Sequence, residues 1–340
     1  MLELGVIDDP LFLQHEAEAP HPECPERLSA AREALQRAAV PCPMQPITAR
    51  DATDEELVRV HTERYVVELG HTAGSSGYFD QDTYFSAASA AAARRAAGAC
   101  AQIADELASG RRRFAAALVR PPGHHARPDS AMGFCLFNNV AVAAAEARAR
   151  GVSRVMIVDF DVHHGNGTQE MFYEDPSVLY VSLHQWPFYP GTGAASDSGR
   201  SEGLGYTLNI PLSAGADDRV YEAAFERLVA PIAEQYAPGL LLLSAGFDAH
   251  ERDPLAQMSL TEEAYAMMVR KLLAAVGTIP VGLILEGGYD LAGLSSGLQR
   301  SVEALYQGPP ERASSSEIGP RHAADLARAA AAAGRYWKLG

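Results

Sequence analysis

The sequence predicts an α/β fold, a three-layer α/β/α arrangement with a mainly parallel central sheet. Short β-like runs alternate with helical patterns along the chain, and several of these runs are apolar almost throughout. Hydrophobic residues make up 47% of the 340 positions. Unbroken apolar runs mark strands covered on both faces, the setting of a parallel sheet flanked by helices. Strand, helix, strand in succession winds helices to both sides of such a sheet. No internal repeat, Gly/Ser linker or charge block divides the chain, so residues 1–340 read as a single domain.

The predicted strands, in order, are Ala115–Val119, Val155–Asp159, Val178–Leu183, Tyr206–Ile210, Leu240–Ser244 and Val281–Leu285. One helix is predicted from Ser86 to Leu107, stopping at Gly110, and another from Asn138 to Arg150, stopping at Gly151. Between the last two strands, Ser259 and Glu262 fit a capping box. Tyr265, Met268, Val269, Leu272, Leu273 and Val276 then follow the spacing of one apolar helical face. After Pro309-Pro310 the chain turns Ala- and Arg-rich. Residues 310–340 read as a loop and a terminal helix, Ala323–Tyr336, packed on the body.

Charge and cysteine usage narrow the function classes. Lys and Arg number 28 against 43 Asp and Glu, a net charge of −15. A nucleic-acid backbone needs a basic face, so direct nucleic-acid binding is not expected; cationic ligands are. Cys24, Cys42, Cys100 and Cys135 are widely spaced with no CxxC pair, which argues against a cysteine zinc site or a disulfide framework. Reduced thiols suit a cytoplasmic location. No signal-peptide pattern opens the sequence, and the most apolar run, Gly239 to Gly246, is too short to span a bilayer.

In a doubly wound sheet, ligands bind beyond the carboxyl ends of the strands, and the chemistry-bearing residues fall there. The strand Val155–Asp159 runs into Asp159-Phe160-Asp161-Val162-His163-His164-Gly165-Asn166-Gly167. In an extended chain Asp159, Asp161 and His163 share a face. The strand Leu240–Ser244 leads to Asp248. Carboxylates gathered at the edge of an apolar core must protonate, pair or bind a cation. One His and two Asp make a three-ligand divalent site with an open position, leaving Asp159 to orient a histidine. Arg120-Pro121-Pro122-Gly123-His124-His125 follows another strand and projects two imidazoles together. Gly133-Phe134 places an aromatic near the same mouth, and Glu286-Gly287-Gly288-Tyr289 presents a phenol at the last strand end. Any one of these residues is more simply a helix cap or a core residue; the combination is what points to a site.

Together these segments resemble the zinc-dependent histone deacetylase family, including its bacterial relatives among the acetylpolyamine amidohydrolases. The matching stretches run from His21-Pro22-Glu23-Cys24-Pro25-Glu26-Arg27-Leu28 to Gly287-Gly288-Tyr289. Pro-Pro-Gly-His-His, His-His-Gly-Asn-Gly-Thr-Gln and Phe-Asp-Ala-His with Asp253-Pro254-Leu255 look most like class II. The resemblance implies the arginase/deacetylase fold and hydrolysis of an acylated amine: acetyl-lysine in a peptide or protein, or an acetylpolyamine. It implies Asp161, His163 and Asp248 as ligands of one Zn2+, His125 as general base and then acid, and His124 as its companion held by Asp159. Tyr289 would polarise the acyl carbonyl. Gly133, Phe134 and Tyr189 would line the acyl tunnel, with Tyr189 where the family usually has Phe. Asn166 stands where class I members carry an Asp partner for the second His. Leu255 replaces the acidic gatekeeper of polyamine-specific relatives, and Arg27 matches an arginine of the internal product channel. K+ is implied near Asp159, Asp161, His163, Ser182 and Leu183. A non-catalytic acyl-lysine module and an arginase-like ureohydrolase with two manganese ions are the competing classes.

Overall fold

The computed structural model describes residues 3–308 and 317–339. Among the described residues, ten strands and eleven α-helices follow one another. The first half holds β1 (Leu4–Ile7), α1 (Glu26–Arg37), β2 (Met44–Pro46), α2 (Asp54–Val58), α3 (Glu63–Gly70), β3 (Gly77–Tyr78), β4 (Tyr84–Phe85), α4 (Ser89–Ala108), β5 (Phe114–Ala117) and α5 (Asn139–Ala149). The second holds β6 (Val155–Asp159), α6 (Asn166–Phe172), β7 (Val178–Gln185), β8 (Thr207–Leu212), α7 (Asp218–Ala224), α8 (Ala230–Tyr236), β9 (Leu240–Ala245), α9 (Glu262–Val276), β10 (Val281–Leu285), α10 (Leu291–Ala304) and α11 (Pro320–Ala333).

Eight strands form one sheet in the order β2-β1-β5-β10-β9-β6-β7-β8, and every pairing is parallel. β3 and β4 make a separate antiparallel ribbon. Strands β5 to β10 of the main sheet are buried along their whole length, as their apolar sequences require. Helices α4 and α5 pack on each other and on β5, β10, β6 and β9; α1, α10, α9 and the α7–α8 pair form the second helical layer. The alanines of α4 and Gly98 allow close approach, since a Cβ at Gly98 would fall within 3.0 Å of the Arg50–Ala52 backbone. The order of the strands matters for function. β5, β10, β9 and β6 are successive neighbours, although the chain reaches them far apart in sequence.

Several boundaries differ from those the sequence suggests, each for a physical reason. β1 and β2 escape the pattern because they are short and carry Gly5 and Pro46; proline is tolerated there because β2 is an edge strand. β5 starts at Phe114 and ends at Ala117, and the next residues already turn toward the Pro-Pro-Gly loop. β7 and β8 each run two residues past their predicted ends. The long helix begins at Ser89, not Ser86, whose backbone N–H bonds instead to Ser89 Oγ. The predicted Ser259–Glu262 capping box is not formed. Ser259 is held extended by a parallel bridge to Asp217, and Thr261 caps α9 by accepting from Glu263 N. The terminal helix is α11, three residues earlier than expected, with Pro320 at its first turn. It packs on β8, with Asp325 accepting from Ser213 N and Trp337 Nε1 donating to Gly205 O. Pro309-Pro310 lies outside the described residues.

Candidate active site

Four adjacent strands deliver the predicted residues to one place. His124 and His125 follow β5, Tyr289 follows β10, Asp248 follows β9, and Asp161 and His163 follow β6. The ligand atoms of Asp161, His163 and Asp248 all lie within 4.8 Å of one another. His163 Nδ1 sits 3.1 Å from Asp161 Oδ1 and 3.1 Å from Asp248 Oδ2. Backbone donors fix both carboxylates: Gly287 N–H donates to Asp161 Oδ2 (2.8 Å) and Val162 N–H to Asp248 Oδ1 (2.8 Å).

The cluster is electrically unfinished without a cation. Burial disfavours charge on His163, yet hydrogen bonds to Asp161 and Asp248 lift it to about 10. Burial, helped by the Asp161 charge, pushes Asp248 up to about 7. Two carboxylates and one imidazole converge with their ligand atoms within 4.8 Å of one another, a donor set that suits a divalent ion. Glycines make the room. A Cβ on Gly287 would lie 2.5 Å from Asp161 Oδ2, and one on Gly246 would lie 2.5 Å from Asp161 Cγ. The donor set and the space both suit the metal that the sequence implies.

The two imidazoles of the Pro-Pro-Gly loop differ. His124 Nδ1 is 3.0 Å from Asp159 Oδ2, which also accepts from the Tyr180 hydroxyl at 3.0 Å. Burial works against its charge, but the Asp161 and Asp159 carboxylates hold it well above the ordinary imidazole value. His125 Nδ1 faces Asn166 Oδ1 at 2.8 Å. Burial, then the neighbouring His124 and His163, push it well below the ordinary value. Because Asn166 offers an oxygen, Nδ1 of His125 carries the hydrogen and Nε2 keeps a lone pair.

A cavity of about 270 Å³ opens above the cluster, lined by Gly133, Phe134, Tyr189, Leu255, His125, His163 and Tyr289, together with Pro22, Asp82 and Phe188. Gly133 and Phe134 both adopt positive φ, 56° and 68°. A left-handed phenylalanine is costly; Thr83 Oγ1 accepts its N–H at 3.2 Å and helps hold the turn. A Cβ on Gly133 would lie 2.5 Å from His125 Cδ2, so only glycine fits against that ring. Tyr189 meets His125 edge-on with ring centroids 5.2 Å apart, while Phe188 stacks on His163 at 5.4 Å. Burial keeps the Tyr289 hydroxyl protonated, its pKa well above the ordinary phenol value.

Arg27 does not line this cavity. It lies fully buried beneath the Tyr289 loop, donating to Gly288 O (2.7 Å) and Glu286 O, with its guanidinium 5.0 Å from the Tyr289 ring centroid. Ser182 pairs with Asp159 across the β6–β7 register, and its hydroxyl meets His184 Nδ1 at 2.9 Å; Leu183 is core.

Three buried acids escaped the sequence reading as site residues. Glu286 accepts the N–H groups of Gly123 (2.7 Å) and His124 (3.1 Å), tying the loop after β10 to the loop after β5. Asp253 accepts the N–H of Tyr289 (2.6 Å), Asp290 (3.2 Å) and Leu255 (2.9 Å). Glu23 is fully buried between Arg27 and Arg120. Glu286 carries the same signal as Asp248, an acid ending an apolar strand. Asp253 and Glu23 sit in loops and carry none.

Residues 21–305 match the histone deacetylase domain. The chain belongs to the histone deacetylase family. Histone deacetylase 15 of Arabidopsis thaliana is 46% identical over 314 residues, 90% of this chain and 57% of that protein. The human polyamine deacetylase HDAC10 is 40% identical over 339 residues, 93% of this chain and 50% of that protein. The chain thus spans little more than half the length of these two relatives. The crystal structure of the HDA15 HD domain matches with a TM-score of 0.93 at 41% identity, covering 98% of this chain and 97% of the other. The α/β/α architecture described above is therefore the arginase/deacetylase fold of this family.

Proposed function

We propose that this chain is a single-domain, zinc-dependent amidohydrolase that removes acetyl or longer acyl groups from the ε-amine of lysine in peptides or proteins. One observation carries the reading: the Asp161–His163–Asp248 cluster reaches an aromatic-lined cavity through His163, and His125 and Tyr289 line the same cavity. Zinc held by those three residues supplies Lewis-acid polarisation of a carbonyl and acidification of water to a pKa of about 7. The chain's own groups do the rest. Phe134, Tyr189 and Phe188 exclude water and hold the apolar stem of the acylated side chain. His125 Nε2, neutral and aimed by Asn166, takes the proton of the attacking water. The Tyr289 hydroxyl donates to the oxyanion as it develops, with its backbone pinned by Asp253. His125 then returns the proton to the departing amine, a role that typically contributes about 10²–10⁴-fold. His124, tethered to Asp159, sits beside this step as the companion imidazole.

Leu255 at the rim offers no partner to a second ammonium, which favours acyl-lysine. Acetylpolyamine hydrolysis is the second reading; Asp82 on the same cavity wall and the relative named a polyamine deacetylase favour it. Rates on acetyl-lysine peptides and acetylated polyamines, compared side by side with a hydroxamate control, decide between them. Faster polyamine turnover overturns the lysine preference. Absence of acetate release from both substrates by the zinc-loaded protein would leave a non-catalytic acyl-lysine module. The proposal includes K+ at the ends of β6 and β7 near Asp159, Asp161, His163, Ser182 and Leu183; a higher Tm in K+ than in equal tetramethylammonium checks it. We also place the protein in the cytoplasm; its four cysteines form no disulfide.

A further inference from the structure

At the opposite ends of β5 and β10 from the active site lies a second cavity, of about 490 Å³. Four elements meet there. Phe114 opens β5, Thr278 precedes β10, Gly277 follows α9, and Leu305, Tyr306 and Gln307 follow α10. Two arginines, Arg113 and Arg270, line it, and the Nε–H of each is buried with no hydrogen-bond partner. Among the described residues neither makes an ion pair, although acids outnumber bases 43 to 28 in this chain. Arg112 shares the unpartnered Nε–H, but both neighbours carry ion pairs. Arg111 pairs with Asp105 and Glu106, and Arg112 with Glu3 and Glu106.

Two guanidinium groups that pair with no carboxylate among the described residues line one cavity, and their half-buried side chains leave donors there for an anion. The Arg113 guanidinium lies 4.8 Å from the Phe114 ring centroid, and that ring meets Tyr306 edge-on at 5.2 Å. Stacking of this kind leaves the edge of the guanidinium fork for an oxyanion. The ends of α9 and α10 each bring about half a negative charge. Two full guanidinium charges outweigh them, so the cavity is cationic in a strongly anionic protein.

We propose that this cavity binds a small organic oxyanion, a phosphate or carboxylate carried on a flat apolar body. Arg113 and Arg270 hold the anion, and Tyr306, Leu273 and Ala274 form the bed for the body. The inference stands independently of the deacylase reading, because none of these residues belongs to the active site.

The test is titration of the full chain with phenyl phosphate, benzoate and inorganic phosphate at constant ionic strength, by calorimetry and by thermal shift. Saturable binding of phenyl phosphate or benzoate is expected, and whichever binds tighter tells phosphate from carboxylate. Arg113→Gln and Arg270→Gln each weaken it on the order of tenfold or more, the loss of one charge-assisted contact. Ala274→Trp, at an exposed position, abolishes binding of the two aromatic probes by filling the bed. The Trp variant decides the matter even if an arginine variant fails to fold. No saturable binding of any probe, or binding unchanged in all three variants, overturns the proposal.

Discussion

Gly287→Ala isolates the role of the metal cluster with a single methyl group. Gly287 is not among the glycines with positive φ, so alanine suffers no backbone penalty there. The added Cβ would lie 2.5 Å from Asp161 Oδ2 and closer still to Asp248 Oδ2, where real Cβ contacts essentially never fall below 3.0 Å. Both carboxylates, or the Gly287 backbone between them, must move by roughly 0.5 Å or more, and misplacement of about 1 Å can cost on the order of 10²-fold in rate. The backbone N–H of Gly287 also anchors Asp161, so the shift acts on the ligand and its support together. We expect kcat on an acetyl-lysine peptide to fall about tenfold to a hundredfold, with zinc content below one per chain by elemental analysis. Circular dichroism and Tm should stay near wild type. Gly70→Ala is the control: it lies at the end of α3 with nothing within 4 Å of its new Cβ. Helix propensity predicts a stability gain there of up to about 1 kcal/mol. Wild-type turnover and full zinc in Gly287→Ala would show that the Asp161–Asp248 placement is not what the chemistry uses.

Four further outcomes follow from the same geometry. Asp248→Ala should lose the metal, with zinc absent by elemental analysis after gel filtration. Tyr289→Phe should keep the metal and lower kcat by about 10²–10³, the typical cost of one oxyanion donor; unchanged turnover removes Tyr289 from the mechanism. Asp253→Ala should free the backbone of Tyr289 and Asp290, cost about 1–3 kcal/mol in urea unfolding, and lower kcat more than KM, with Asp253→Asn retaining part of both. Stability should fall on acidification: His61 is held neutral, donating from Nδ1 to Arg127 O and accepting from Asn138 N–H at Nε2, and burial lowers it to about 4. Unfolded histidine takes up a proton near pH 6.5 that the folded one refuses. The contribution is therefore complete above that pH and declines by about 3 kcal/mol on the way to pH 4. A urea midpoint with the same pH slope in His61→Gln as in wild type would refute this.

His124, His125, Tyr289 and the acids at the strand ends could be read from the chain because each follows a recognisable apolar strand within a few residues. Asp161 and His163 announce themselves by spacing, and Asp248 by its strand. Glu286 gives the same signal but reads as part of a Gly-Gly turn. Asp253 and Glu23 could not be read, since a loop acid is usually solvated and only the folded chain shows which N–H groups or guanidinium groups it meets. Phe188 is similarly one aromatic among several until it stacks on His163. The Ser259–Glu262 cap failed because a long-range bridge to Asp217 outweighed a local preference.

By itself the sequence determined the layers and the candidate site residues: hydrophobic periodicity is local, and so is the run of ligand-type residues after a strand. Tertiary structure decided which strand ends become neighbours. β9 and β10 insert between β6 and β5, bringing Asp248 and Tyr289 to His163 and His125 across more than eighty residues of chain. The same insertion buries Arg27 under the Tyr289 loop, and Arg113 and Arg270 line one cavity at the far end of the sheet. Strand order is set by the total burial of helices on both faces, a property of the whole chain that no short segment encodes.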